Sequence, residues 1–106
     1  MTTKPVVPRT IATRDVDGAI DWYLANGGTA VALAFIDELE RAYTHLGRHP
    51  ASGSTRYGLA LSLPDLRAWP LKHYPFLVFY VESADQIEIW RVLHAERDIP
   101  AWLRPG

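Results

Sequence analysis

The sequence predicts an α+β fold in a single domain over residues 1–106: one N-terminal strand, an α-helical hairpin, then a three-stranded antiparallel sheet region. Three observations predict it. Apolar residues recur at helical spacing in two successive stretches between Thr13 and Leu46, Asn26, Gly27 and Gly28 interrupt them, and from Leu66 onward the pattern becomes that of strands. A chain of 106 residues has room for one core and no second one.

The opening "KPVVPRTIA" is rich in proline and β-branched residues, which predicts a short strand near Thr10 to Ala12, at a sheet edge because proline cannot donate to a ladder. From Thr13 the period changes: Val16, Ala19, Ile20, Tyr23 and Leu24 line one helix face. Thr13 or Asp15 can cap this helix, and Asp15 and Asp17 suit the positive end of its dipole. "NGG" stops it, since asparagine and glycine accept the left-handed backbone of a helix end. Thr29 can cap a second helix, in which Phe35, Ile36, Leu39, Ala42, Tyr43 and Leu46 form the apolar stripe while Asp37, Glu38, Glu40 and Arg41 face away. Pro50 and "ASGS" end it and begin a loop to about Pro64.

"LRAWPLK" is the first strand of the sheet region, placed at an edge by Pro70. "FLVFYV", Phe76 to Val81, is apolar on both sides and so is expected to be central and covered on both faces. "ESADQ" is short enough for a hairpin loop into the last strand, Gln86 to His94. There, alternation assigns Ile87, Ile89, Arg91 and Leu93 to one face and Glu88, Trp90, Val92 and His94 to the other.

Composition narrows the function. Hydrophobic residues make up 48% and charged residues 22%, ordinary for a folded domain, and the net charge of −1 is spread over both halves. That excludes the broad positive footprint of a duplex DNA binder, so no direct specific DNA binding by the chain alone is expected. Cysteine is absent, which removes disulfides, thiolate metal sites and cysteine nucleophiles. No apolar run reaches the length of a membrane span and "MTTKPVVPRT" lacks a signal-peptide core, so a cytoplasmic protein is expected.

Two groups of residues are chemically suggestive. Arg91, His94 and Arg97, joined by Lys72 and His73, can form a cationic site for phosphate with a histidine to exchange protons. The competing reading is that Glu88, Glu96 and Asp98 neutralise them in surface pairs worth roughly 0–1 kcal/mol each. Trp69, Trp90 and Trp102 can stack on bases or anchor a partner, with Trp90 favoured as core; Trp22 lies off the apolar stripe of the first helix and is the better exposed anchor. His45 and His49 have the spacing of helical metal ligands but lack the carboxylate of a metalloprotease motif, so neither metal nor cofactor is expected. Ser52 and Ser54 sit in a turn without a nucleophile elbow.

Four segments, "RDVDGAIDWY", "AFIDELERAYTHLGRHPASGS", "LRAWPLKHYPFLVFYV" and "IEIWRVLHAERDIPAWL", resemble in order the RelE/ParE superfamily of bacterial toxins, and the ParE branch in particular. "RVLHAERD" is the most specific piece. The resemblance implies a strand, two helices and a three-stranded antiparallel stretch. It also implies a toxin neutralised by a cognate antitoxin, commonly ParD-like with a ribbon-helix-helix DNA-binding half.

For the ParE branch the implied target is DNA gyrase; the RelE branch implies messenger RNA cleavage at the ribosome. Nuclease relatives carry an arginine in the central strand where this sequence has Leu77, a departure at a position the chemistry would need. Arg97 does match a nuclease position, so Lys72, Arg91, His94 and Arg97 form the alternative catalytic set. On the leading reading the chain is not an enzyme: Arg91, His94, Arg97 and Trp102 face the target, Trp22 and Trp69 face the antitoxin. A non-toxic, antitoxin-binding member is the third reading.

Overall fold

The described residues begin along the edge of a sheet and end just past the strand beside it. In the computed structural model, which describes residues 3–96, the elements run β1 (Val6–Pro8), α1 (Thr10–Gly27), α2 (Thr29–Arg48), a 3₁₀ turn at Pro50–Ser52, α3 (Arg56–Ala60), β2 (Leu66–Pro70), β3 (Phe76–Glu82) and β4 (Ile87–His94). The four strands lie in the order β1-β4-β3-β2. β1 runs parallel to β4, with Val6 beside Ile87, and the other pairs are antiparallel. The α+β class, the helical hairpin and the antiparallel stretch of three strands are as the sequence predicts.

The first strand lies earlier than expected, and Thr10 to Ala12 belong to α1. The reason is local. Arg9 keeps an extended backbone, Thr13 N donates to Arg9 O at 3.0 Å to close the first helical turn, and Ala12 is fully buried. Propensity for strand in Thr10 and Ile11 yields to that burial. The prolines fit the edge position: Pro5 O accepts from Ile87 N, and Arg9 N donates to Ile89 O, so Pro8 falls where a missing N–H faces outward. Neither expected cap operates at α1, where Arg9 is the N-cap without a side-chain bond. At α2 the cap is Gly28 and not Thr29. Gly28, at φ 85°, makes the one-residue turn of the hairpin.

The stripe of α2 forms the middle of the main core. Phe35 and Leu46 are fully buried there, together with Ala12 and Ala19 of α1 and Val78, Tyr80, Ile87 and Ile89 of the sheet. The opposite sheet face is also covered. The segment expected as a loop to Pro64 contains α3, and Tyr57, Leu61 and Leu63 pack on Leu66, Ala68, Phe79 and Leu93. β3 is therefore buried on both faces, as its unbroken apolar run predicts.

The alternation expected in β4 breaks halfway. Phe79 sits opposite Arg91 but Tyr80 opposite Ile89, so Trp90 is an extra, bulged residue. Past it the faces exchange: Val92 joins Ile87 and Ile89 under the helices, while Leu93 moves to the second cluster, against which Trp90 packs. Trp90 is half-buried; its Nε1 donates to Glu88 Oε1 at 3.0 Å and the Arg9 guanidinium lies 4.3 Å from its ring centre.

Candidate functional site

The bulge turns Arg91 toward α1. Its Nε and Nη2 each donate to the Asp15 carboxylate at 2.8 Å, and Val92 N donates to Asp15 Oδ2 at 3.1 Å. Both side chains are largely buried, 12% and 13% exposed. The hydrogen bond with Asp15 raises the Arg91 pKa above its ordinary value against the opposing effect of burial, so the guanidinium stays charged and bound. Asp15 is thus the joint between the second turn of α1 and β4, a role that its placement among helix-cap candidates does not anticipate.

Beside this joint α1 and the sheet part to leave a groove of about 590 Å³. Arg14, Gly18, Ala19, Trp22 and Tyr23 line it from the helix, and Pro75, Phe76, Val92, Leu93 and His94 from the sheet. Trp22 is 59% exposed, the one large aromatic left uncovered among the described residues, and meets Tyr23 edge-on at 5.3 Å. Behind it Tyr23, Phe35, Tyr74 and Phe76 form an aromatic block with centres 5.3–6.3 Å apart. Burial, followed by the nearby Tyr74, raises the Tyr23 pKa. The His94 ring stands edge-on to Phe76 at 5.3 Å and its Nδ1 accepts from Glu96 N at 3.2 Å.

The other expected site residues lie elsewhere. Lys72 and Trp69 line a smaller depression of about 190 Å³ with Glu38, Arg41 and His45, which shares no residue with the groove. Trp69 is half-buried and stacks on His45 at 4.6 Å. Arg97 and Trp102 fall outside the described residues. The cationic group read from the sequence is therefore divided: Arg91 and His94 flank the groove and its joint, and Lys72 lies in another depression.

The "HPASGS" segment is held by β2 and β3. Tyr80 Oη donates to Pro50 O at 2.6 Å and accepts from Gly53 N at 2.8 Å, while Arg67 Nη1 donates to Gly53 O at 2.9 Å. A Cβ on Gly53 would stand 2.6 Å from the Tyr80 oxygen, so this turn admits only glycine without a shift. His45 Nε2 lies 3.0 Å from Ser52 Oγ, whose own proton goes to His49 O at 2.7 Å. The histidine is then the donor in that pair, which leaves the serine unactivated. Among the described residues no group of three His, Cys, Asp or Glu side chains could hold a metal ion.

The family model for the ParE toxin of the type II toxin-antitoxin system, parDE, matches residues 6–99. The chain belongs to the ParE toxin family. The match begins at β1 and takes in α1, α2, α3 and the whole sheet, so every part of the joint and groove lies within the ParE pattern. A chain of the chromosomal ParDE system from P. aeruginosa is similar in structure, with a TM-score of 0.75 and 20% identity over 89% of this chain and 98% of that one. At that identity the likeness shows a shared fold. The comparison with curated proteins gave no match.

Proposed function

We propose that this ParE-family chain arrests bacterial growth by binding DNA gyrase, without enzyme activity of its own, and is neutralised in the cytoplasm by a cognate antitoxin, ParD-like with a ribbon-helix-helix half. The observation that carries the reading is the dispersal of the cations a nuclease would need. Cleaving RNA through a ribose 2′-hydroxyl calls for a base, an acid and a positive group converging on one phosphate. Here Arg91 is bound to Asp15, Lys72 lines a different depression from His94, and Leu77 packs half-buried against the second core cluster. A binding surface needs no such convergence.

His94 and the following segment with Arg97 and Trp102 are the proposed target side, with Arg91 holding the strand that presents them. Trp22 is the stronger antitoxin contact of the two tryptophans, because Trp69 is already stacked on His45. A cytoplasmic location agrees with both partners; among the described residues no helix is long and apolar enough to cross a membrane. The deciding experiment induces the chain alone in bacteria and follows DNA and protein synthesis through the first minutes. DNA synthesis failing first is the expected result. Ribosome-dependent messenger RNA cleavage by the pure protein would overturn the proposal.

A further inference from the structure

We infer that Arg9, Glu88 and Trp90 are positioning residues for the end of β4, because together they hold the bulge that sets which face of the sheet His94 occupies. This rests on the reading that the end of β4 meets the target, and it names the residues that aim it. The first ground is what the bulge decides. Strict alternation from Ile87 and Ile89 would put His94 with Glu88 on the face away from α1. The extra residue reverses this: Val92 is buried with Ile87 and Ile89, and His94 pairs with Phe76 and stands edge-on to it at 5.3 Å. Without the bulge the same strand would turn His94 toward the α3 side.

The second ground is how the bulge is held. Arg9, at the junction of β1 and α1, engages three consecutive residues of β4. Its backbone N donates to Ile89 O at 2.9 Å, its Nε donates to Glu88 Oε1 at 2.6 Å, and its guanidinium lies 4.3 Å from the centre of the Trp90 ring. Glu88 Oε1 also accepts from Trp90 Nε1 at 3.0 Å, so the indole is fixed both at its face and at its edge. β1 pairs with β4 no further than Ile89, and beyond that point Asp15 takes over by bonding Arg91 and Val92 N. The bulge is thus held on both sides by the segment that leads into and opens α1. Past His94, Ala95 N donates to Pro75 O at 2.8 Å and pins the strand end.

The third ground is that this clamp is a poor source of stability. The Arg9 and Glu88 side chains are 49% and 30% exposed, and exposed ion pairs add little to folding. Aiming a neighbouring side chain is a use that bulges serve beside working surfaces.

The test induces the full chain alone, follows DNA synthesis and growth at matched amounts of folded protein, and records the His94 ring resonances of the purified variants by NMR. Arg9→Ala removes the clamp and keeps the backbone bond to Ile89. Expected are arrest weaker by at least about fivefold and His94 signals displaced from their wild-type positions beside the Phe76 ring. Arg9→Lys keeps a cation beside Glu88 and Trp90 and should restore both. Arg41→Ala breaks a surface pair with Glu38 on α2 and should change neither. Full arrest by Arg9→Ala while His94→Ala is impaired would overturn the positioning role and leave the toxin reading standing. Arrest lost in Arg9→Ala with the His94 signals unmoved would make Arg9 itself a target contact, and self-association of Arg9→Ala with arrest kept would make the bulge a guard of the open edge of β4; either overturns the inference. A wild-type chain that leaves DNA synthesis untouched would overturn the proposed function itself.

Discussion

Asp15 and Arg91 stand 76 positions apart and meet through two bonds of 2.8 Å. Cutting one member of such a pair leaves a largely buried charge without its partner, so Asp15→Ala should lose about 3 kcal/mol of stability, read from urea unfolding. An unchanged midpoint would show that the joint is not structural. Tyr43 gives a second prediction at this scale. Burial, then the nearby Asp15 carboxylate, pushes its pKa from 10.0 to about 12. The folded state thus favours the neutral phenol. Its contribution is complete below pH 10 and is lost as pH rises from 10 toward 12. Tyr43→Phe should flatten that alkaline decline in part, since the Tyr23 and Tyr80 pKa values are raised as well; a superimposable curve would remove Tyr43 from the account. Neither pairing was legible in the sequence. Periodicity assigns Asp15 a helix position and Arg91 a strand face, but a contact between distant elements leaves no mark on local spacing.

Helices were easier to read than strands, because a stripe such as Phe35, Leu39, Ala42 and Leu46 repeats within one element and needs no partner to be recognised. The hairpin turn was legible for a similar reason. Gly28 is written in the sequence as a stop, and its φ of 85° is a conformation that a side chain disfavours. Gly28→Ala is therefore expected to cost about 1–2 kcal/mol although no atom would crowd its Cβ, a loss measurable by thermal unfolding. An unshifted transition would mean that the hairpin adjusts its turn freely. β4 shows the opposite case. One bulged residue, Trp90, exchanges the faces of Val92 and Leu93. α3 was hidden in a segment whose glycines and serines read as loop, and its Tyr57 meets Phe79 edge-on at 5.3 Å in the cluster on the sheet face away from α1 and α2.

At the scale of the molecule, the groove and the depression lie in different places and share no lining residue, and the proposed binding mode of toxicity rests on this separation. A nuclease that used Lys72 with His94 would need both at one phosphate. Lys72 instead shares its depression with Glu38, Arg41, His45 and Trp69. A protein that acts by presenting the end of β4 has no use for the lysine there. Lys72→Ala is exposed, removes no core contact, and should therefore leave growth arrest at the wild-type level when the chain is induced alone. His94→Ala removes a ring seated edge-on against Phe76 at 5.3 Å and the acceptor that receives Glu96 N at 3.2 Å. It should weaken the arrest while the fold, monitored by circular dichroism, persists. Arrest lost in Lys72→Ala and kept in His94→Ala would reverse this assignment and move the working surface to the α2 side of the sheet.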